Sequence, residues 1–199
     1  MNTHPDIEKV LFTSEQLTAR AKELAREIDD TYAKEVDTGE DVVFVGILNG
    51  AYQFLAELAR QVGTNHQTEF MALSSYHGGT KSSGVVRMML DLRTTIEGKH
   101  VLVVEDIVDT GRTLQYLLDT LSTRKPKSLR VCSLLSKKEQ REVDVPIDYV
   151  GFVCPDEFVV GYGLDYKEYY PGLPFIGVLK EEIYRSQAVN PLSAIKGDE

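Results

Sequence analysis

The first long segment with a regular pattern runs from residue 14 to about residue 34, where apolar side chains recur at helical spacing. These side chains are Leu17, Ala21, Leu24, Ala25, Ile28 and Tyr32. Thr13 and Gln16 have the residue types of a capping box, in which each side chain bonds to the backbone of the other residue. The pattern predicts an amphipathic helix that begins just after Thr13.

Shorter apolar runs along the chain predict strands. The run DVVFVGIL at residues 41–48 is typical of a strand that is covered on both faces. Similar runs predict strands over residues 68–76, 85–90, 101–104, 128–135 and 149–153. Helical spacing returns at residues 51–60 and 113–121, so the chain alternates between strands and helices.

The order of these elements determines the fold class. Strands that alternate with helices form βαβ units, whose strands are parallel and whose crossovers are right-handed. We therefore predict an α/β fold, a doubly wound and mostly parallel sheet flanked by helices. No linker rich in proline, glycine or serine divides the sequence, so residues 1–199 are expected to form a single domain. In such a sheet, ligands bind beyond the carboxyl ends of the strands.

Charge and apolar content exclude some partners. The formal net charge of −9 disfavours nucleic acid, since binding to nucleic acid requires an excess of Lys and Arg. No apolar run reaches the roughly 18 residues of a membrane span, and the N-terminus is too polar for a signal peptide. We expect neither nucleic acid nor a membrane as a partner, and a cytoplasmic location.

Cysteine and histidine are sparse in this sequence. Cys132 and Cys154 lie in apolar runs, so we expect two buried thiols in a reducing compartment. The four histidines have no metal-ligand spacing and are expected to be surface or loop residues. They are His4, His66, His77 and His100.

The most distinctive segment is VVEDIVDTGRT, which follows the buried strand predicted at residues 101–104. Three acids, Glu105, Asp106 and Asp109, lie at the end of this strand, and residues 110–113 lead into a helix. A junction between a strand and a helix presents unpaired backbone N–H groups that suit a phosphate. Three carboxylates would repel that phosphate unless the ligand also carried hydroxyls or a cation. A sugar phosphate with Mg²⁺-bound pyrophosphate meets this requirement.

Residues 101–114 resemble the phosphoribosyl pyrophosphate motif of type I phosphoribosyltransferases. The resemblance extends over residues 44–179, which are similar to the hypoxanthine-guanine phosphoribosyltransferase family. It implies a purine-salvage enzyme that uses Mg²⁺ and moves ribose 5-phosphate from phosphoribosyl pyrophosphate to N9 of a 6-oxopurine. It also implies a homodimer or homotetramer, and a small hood subdomain built from the N-terminal segment and residues 150–190.

The resemblance assigns roles at the donor end of the site. Glu105 and Asp106 would hold the ribose hydroxyls or their metal ion, and Asp109 would be the acid or base at purine N7. The residues expected to hold the 5′-phosphate are Asp109, Thr110, Gly111, Arg112 and Thr113. Two groups of residues are expected to face pyrophosphate. The first is Leu48, Asn49 and Gly50, with a cis peptide between Leu48 and Asn49. The second is Ser75 and Tyr76, on a loop that closes over the site.

The resemblance also assigns residues to the purine. Lys137 would donate to O6 and so disfavour adenine, which carries an amino group there. Phe158 would stack on the base, and Val159 would offer its backbone to the base edge. Ile107 would also contact the purine, and Asp165 would hold a second Mg²⁺.

Two positions depart from the family pattern. Many members carry Lys where this chain has Asn49, and the family usually carries an arginine, which meets pyrophosphate, where this chain has Pro171. Proline offers no N–H donor. Either Lys167 or Arg141 replaces the arginine, or pyrophosphate binding is weaker.

The sequence disfavours most alternatives to a transferase for hypoxanthine or guanine. A non-catalytic regulator on the same fold would sense phosphoribosyl pyrophosphate and bind nucleic acid, which the acidic charge disfavours. A receiver-type Mg²⁺ pocket would lack the loop at residues 110–113. Lys137 and Phe158 disfavour adenine and pyrimidines as substrates, whereas xanthine shares O6 with hypoxanthine and guanine and is not ranked against them.

Overall fold

The computed structural model describes residues 4–37, 40–75 and 86–185. Nine strands lie in these ranges: β1 Ile7–Phe12, β2 Val42–Leu48, β3 Gln67–Ser75, β4 Val86–Leu90, β5 His100–Val108, β6 Ser128–Ser136, β7 Tyr149–Val153, β8 Val159–Val160 and β9 Ile176–Leu179. The same ranges contain four helices: α1 Ser14–Glu35, α2 Tyr52–Gln61, α3 Arg112–Ser122 and α4 Glu181–Arg185.

The larger sheet has six strands in the order β4-β3-β2-β5-β6-β7. All neighbouring strands are parallel except β3 and β4, which are antiparallel. The predicted α/β fold with a doubly wound, mostly parallel sheet is confirmed. The carboxyl ends of β2, β5 and β6 therefore lie side by side at one edge of the sheet, which is where the candidate site residues follow them.

Both faces of the larger sheet are covered, which explains why its central strands are apolar throughout. Phe44 and Leu102 point into a cluster with α1 and α2, whereas Val43 and Val101 point into a cluster with α3. Alternate residues of one strand thus enter different cores.

Helix α1 begins as the capping-box pattern predicts. Thr13 Oγ1 accepts a hydrogen bond from Gln16 N at 3.3 Å, and Gln16 Oε1 accepts one from Thr13 N at 2.9 Å. Its buried residues are the six apolar positions on which the prediction rested. No helix in the described part of the chain is long and apolar enough to cross a bilayer.

A second, three-stranded antiparallel sheet joins the two ends of the chain in the order β1-β9-β8. Its strands were not among those predicted from the sequence. β8 has only two residues, and β1 has only one buried residue, Ile7, so neither carries a clear periodic pattern. Ile7 packs with Val160 and Leu179, one residue from each strand of this sheet.

One prediction about single residues is wrong and another is confirmed. His100 is not a surface or loop residue: it opens β5 and is only 2% exposed. Its Nδ1 lies 2.7 Å from Ser128 Oγ and its Nε2 lies 3.3 Å from Glu40 Oε2. Cys132 and Cys154 are buried free thiols, as expected.

Candidate active site

Two neighbouring carboxylates near the carboxyl end of β5 lie in a desolvated setting. Glu105 is 6% exposed, and burial, with a further contribution from Asp106, raises its pKa well above the ordinary value. Burial also raises the pKa of Asp106, although the Ile107 N–H donates to its Oδ1 at 2.7 Å, and the charge of Asp165 raises it further. Among the described residues, no basic side chain lowers the pKa of either carboxylate, so the pair is suited to a ligand that supplies hydroxyls or a cation.

The loop between β5 and α3 has a conformation that requires glycine. Gly111 is the N-cap of α3 and has a φ of 88°, in the left-handed region. A Cβ added at Gly111 would lie 2.6 Å from the carbonyl oxygen of Val143. The carbonyl of Thr110 accepts hydrogen bonds from the N–H groups of Glu142 and Val143, each at 3.0 Å. The neighbouring segment thus fixes the loop from behind.

A cavity of about 190 Å³ opens in front of this loop. Ile47 of β2 and Leu73 of β3 line one part of it. The rest is lined by Glu105, Asp106, Ile107, Val108, Asp109, Thr110, Gly111, Thr113 and Leu114. The structure therefore brings most of the predicted phosphoribosyl residues to one cavity, together with Ile107 from the predicted purine set.

Two arginines near the loop bind to protein groups. Arg112 Nε donates to Glu142 Oε2 at 2.6 Å, which turns its guanidinium toward the neighbouring segment. Arg141 Nη2 donates to Ser136 Oγ at 2.9 Å and lies 3.4 Å from the carbonyl oxygen of Val108. Arg141 thus joins the ends of β5 and β6.

The turn after β2 lies against the acidic pair. The peptide between Leu48 and Asn49 is cis, as the resemblance implied. A Cβ added at Gly50 would lie 1.6 Å from Asp106 Oδ2, so the glycine lets this carboxylate approach the backbone. On its other side, a Cβ at Gly163 would lie 2.1 Å from the carbonyl oxygen of Gly50. Of the residues predicted to face pyrophosphate, those of the turn at 48–50 therefore lie beside Asp106, which is predicted to hold the ribose.

Lys137 follows β6 directly and lies beside the end of β5. Its N–H donates to the carbonyl of Val108 at 3.0 Å, and its Nζ is 3.9 Å from Asp156 Oδ1. Burial raises the pKa of the Cys154 thiol, the Lys137 charge lowers it and the Asp109 charge raises it further. The backbone hydrogen bond to Val108 thus places Lys137 beside the residue that precedes Asp109.

Phe158 and Val159 lie at the start of β8. Phe158 is 37% exposed, whereas Val159 is buried. The carbonyl of Phe158 accepts a hydrogen bond from Leu179 N at 2.9 Å, which ties it to β9. Asp165 is exposed, and its Oδ2 accepts a hydrogen bond from Glu168 N at 2.7 Å.

The acidic side chains of the site determine whether it can hold Mg²⁺. No group of three or more His, Cys, Asp or Glu side chains in the described ranges is arranged to hold a metal ion by itself. Mg²⁺ usually binds one or two carboxylates and completes its shell with water and substrate phosphates. Glu105 and Asp106 offer carboxylate oxygens of the required kind, so the residues present fit a metal ion that arrives with a phosphorylated substrate.

The predicted closing loop falls largely outside the described residues. Ser75 is the last residue of β3, and Tyr76 with residues 77–84 lies beyond the described range.

Two other residues at the site were not predicted from the sequence. Gly163 has a φ of 103°, and the Gly-Tyr-Gly run at residues 161–163 could have indicated such a turn. Tyr184 stacks on Phe158, and nothing in the sequence indicates this contact.

Comparison with known proteins agrees with this geometry. The phosphoribosyl transferase domain family matches residues 11–167. A relative from Mycobacterium avium, named hypoxanthine-guanine phosphoribosyltransferase, is 52% identical over 181 residues, which are 90% of this chain and 89% of the relative. The Staphylococcus aureus hypoxanthine phosphoribosyltransferase is 45% identical and has a TM-score of 0.85, over 92% of this chain and 98% of that one.

A further similar structure is that of hypoxanthine phosphoribosyltransferase from Trypanosoma cruzi in complex with the product IMP. It has a TM-score of 0.86 and 44% identity, and the match covers 92% of this chain and 100% of that chain. The fold is that of a phosphoribosyltransferase. Within that class, the chain belongs to the hypoxanthine-guanine phosphoribosyltransferase family, since these relatives align with nearly its whole length.

Proposed function

We propose that this protein is a purine-salvage enzyme that transfers the 5-phosphoribosyl group from phosphoribosyl pyrophosphate to N9 of hypoxanthine or guanine. The products are IMP or GMP and pyrophosphate. The observation that carries the proposal is the cavity in front of Gly111, where two desolvated carboxylates face a loop that precedes a helix. A phosphate alone would be repelled there, whereas a ribose phosphate meets both groups.

At the donor end, the backbone N–H groups of residues 109–113 and the hydroxyls of Thr110 and Thr113 are the proposed ligands of the 5′-phosphate. Positive helix-end charge and unpaired N–H groups favour an anion at this point. The carboxylates of Glu105 and Asp106 accept hydrogen bonds from the 2′ and 3′ hydroxyls. Glu105 is buried and Asp106 is half-buried, so these hydroxyls would supply hydrogen-bond donors to two desolvated carboxylates.

Mg²⁺ bound with the donor would neutralise charge on pyrophosphate as that group leaves. Glu105 and Asp106 are the proposed protein ligands, and Asp165 is the proposed ligand of a second ion. The charge of Asp165 raises the pKa of Asp106, so these two carboxylates repel each other, and a cation near either of them would reduce that repulsion. The desolvation of Glu105 and Asp106 favours a cationic partner, because a counter-charge lowers the free energy of a buried carboxylate.

At the acceptor end, the base lies between Ile107 and Phe158 in this proposal. Lys137 donates to O6, and Val159 presents its backbone to the base edge. Asp109 is the proposed acid or base at N7, where it exchanges a proton as the bond from C1′ to N9 forms. The hydrogen bond from Lys137 N to the carbonyl of Val108, the residue before Asp109, supports the placement of both groups near one base.

Asn49 and Pro171 replace two cationic residues of the family pattern, so backbone groups would have a larger part in binding pyrophosphate. The carbonyl of Pro171 accepts hydrogen bonds from Gln53 Nε2 at 2.8 Å and from Gly163 N at 3.0 Å. Pro171 thereby supports the segment that touches Gly50. Arg141 is occupied by Ser136 and Val108, and Lys167 Nζ lies 5.2 Å from the centroid of the Tyr166 ring. We propose that the backbone at Asn49 and Gly50, with Ser75 and Tyr76, binds pyrophosphate without a replacement arginine.

The whole chain is proposed to act as one domain, with the β1-β9-β8 sheet as the hood over the site. We also propose a homodimer or homotetramer in the cytoplasm. Phe70, Met89 and Leu90, on the antiparallel β3–β4 edge, are 36%, 61% and 44% exposed, which favours burial against a second copy. Two free thiols are consistent with a reducing compartment. Light scattering after size-exclusion chromatography tests the oligomer.

An absorbance assay tests the proposed activity. The enzyme is mixed with phosphoribosyl pyrophosphate and Mg²⁺, and hypoxanthine, guanine, xanthine and adenine are supplied separately. We expect nucleotide from hypoxanthine or guanine and none from adenine. Turnover of xanthine alone would identify a xanthine-preferring transferase. Donor binding without turnover of any base would contradict the proposal and indicate a regulator.

A further inference from the structure

The Phe158 ring belongs to a group of three aromatic side chains. The Tyr184 ring stacks on it, with centroids 4.9 Å apart and planes 21° from parallel. The Tyr166 ring meets it edge-on, at 5.5 Å and 89°. Stacked and edge-to-face arrangements are the two favourable geometries for aromatic pairs. Despite both contacts, 37% of the whole Phe158 residue remains exposed, so the two tyrosine rings do not cover it completely.

Phe158 and Tyr184 are each held in place by contacts with the β1-β9-β8 sheet. Phe158 is tied to β9 through the hydrogen bond from Leu179 N to its carbonyl. Tyr184 belongs to α4, which follows β9 closely. Tyr184 also packs on the cluster formed by Ile7, Val160 and Leu179, with Ile183 beside it. The covered face of Phe158 is therefore fixed from two sides.

We propose that Tyr184 is a positioning residue for the purine base, acting through Phe158. This inference rests on the proposed function, in which Phe158 stacks on the base. The Tyr184 ring covers one face of Phe158 and holds that ring parallel to itself, so the opposite face is presented in a fixed orientation. The base then becomes the outer layer of a three-layer stack of purine, Phe158 and Tyr184.

The physical advantage is preorganisation. A phenyl ring without the Tyr184 contact could rotate about its side-chain bonds, and part of the stacking energy with the base would be lost in ordering it. The contact belongs to the base end of the site, while the phosphoribosyl residues belong to β5 and α3. Loss of Tyr184 should therefore weaken binding of the purine base and leave binding of phosphoribosyl pyrophosphate largely unaffected.

Steady-state kinetics on the full-length protein with Mg²⁺ tests this inference. For Tyr184→Ala we expect the KM for hypoxanthine to rise about three- to ten-fold, the range that corresponds to loss of one aromatic pair. The KM for phosphoribosyl pyrophosphate should stay near the wild-type value. Tyr184→Phe keeps the ring and should restore the wild-type KM for hypoxanthine. Tyr184→Leu keeps most of the volume without the ring and should behave like Tyr184→Ala.

Ile183→Ala is the matched control, because it removes packing from the same helix and cluster without removing the stack. A purely structural role for α4 would make Ile183→Ala and Tyr184→Ala alike, or would raise both KM values together. Either result would overturn the inference, as would an unchanged KM in a folded Tyr184→Ala or Tyr184→Leu variant. Thermal melting establishes folding. A wild-type enzyme that converts no purine would refute the proposed function itself, whereas an active enzyme indifferent to Tyr184 would refute only this inference.

Discussion

Asp109 differs from the other two acids of the site in its position and exposure. Glu105 and Asp106 belong to β5, and Glu105 is buried, whereas Asp109 follows the strand and is exposed. An exposed carboxylate at the mouth of the cavity can exchange a proton with a bound base and with solvent. A desolvated one is better suited to bind hydroxyls or a cation. The geometry is thus consistent with a proposed proton-transfer role for Asp109 that is separate from the proposed ribose-binding role of Glu105 and Asp106.

This separation makes a prediction for Asp109→Asn. The amide keeps the shape of the side chain but cannot accept or donate the N7 proton as a carboxyl group does, so we expect kcat to fall by about 100-fold or more. Binding of phosphoribosyl pyrophosphate should change little, because the amide keeps the loop backbone in place. Rapid-quench kinetics and donor titration measure the two quantities. Asp144→Asn, on an exposed segment nearby, is the control, and equal loss of turnover and donor binding would contradict the assigned role.

At the scale of elements, two loops from distant parts of the sequence meet through glycine. The turn after β2 approaches the segment after β8 at Gly50 and Gly163. Gly50 also abuts Asp106 at the end of β5, so the positions of three segments depend on the absence of two side chains. This close contact places the proposed pyrophosphate loop beside the proposed ribose-binding acids.

Gly163→Ala tests this contact. The new Cβ would lie 2.1 Å from the Gly50 carbonyl oxygen at a φ of 103°, so either the loops separate or the backbone is strained. We expect the free energy of unfolding to fall by roughly 1–3 kcal/mol. The KM for phosphoribosyl pyrophosphate should rise as the turn moves.

Urea denaturation and steady-state kinetics measure the two effects of Gly163→Ala. Gly172→Ala is the matched control, since a Cβ at that position meets nothing within 4 Å. A Gly163→Ala variant as stable and active as Gly172→Ala would show that the two loops can separate without consequence.

At the scale of the whole molecule, polar groups gather at the amino ends of the parallel strands, opposite the candidate site. Buried His100 contacts Ser128 and Glu40, and Glu40 also binds Lys127. Hydrogen bonds from Lys127, from the Asp37 backbone and from His100 lower the pKa of Glu40 from 4.5 to about 2. Burial opposes this shift but is outweighed. These contacts link β5 and β6 to the segment before β2, so this end of the sheet contributes to stability rather than catalysis.

The direction of this pKa shift predicts how acid acts on the fold. The folded-state pKa of Glu40 lies below its ordinary value, so the ionised group stabilises the folded protein above about pH 4.5, and that contribution is lost as the pH falls toward 2. Glu40→Gln should lower the melting temperature at neutral pH, and its difference from wild type should shrink through this window.

Melting curves from neutral pH down to pH about 2 measure the effect of Glu40→Gln. The control is Glu97→Gln, because Glu97 is exposed and has no ion pair in the described ranges. A difference between Glu40→Gln and wild type that stays constant across the window would contradict the assigned role of Glu40.

The sequence by itself determined the elements whose signal is local. The six apolar positions of α1 and its cap could be read directly, because helical spacing and capping act within a few residues. The central strand β2 and the first part of β5 were recognised because burial on both faces makes them continuous apolar runs. The loop at residues 109–113 was recognisable because its acids, glycine and threonines are contiguous, and the family resemblance extended the candidate site to residues along most of the chain.

Only the tertiary structure decided the contacts between segments that are distant in the sequence. The β1-β9-β8 sheet forms because the two ends of the chain meet, and strands this short have no periodic pattern of their own. His100 is buried because its polar partners, Glu40 and Ser128, come from other segments and satisfy it there. The meeting of Gly50 with Gly163, and of Tyr184 with Phe158, has the same origin. A local pattern encodes which residues can be buried, whereas the packed chain determines which residues they meet.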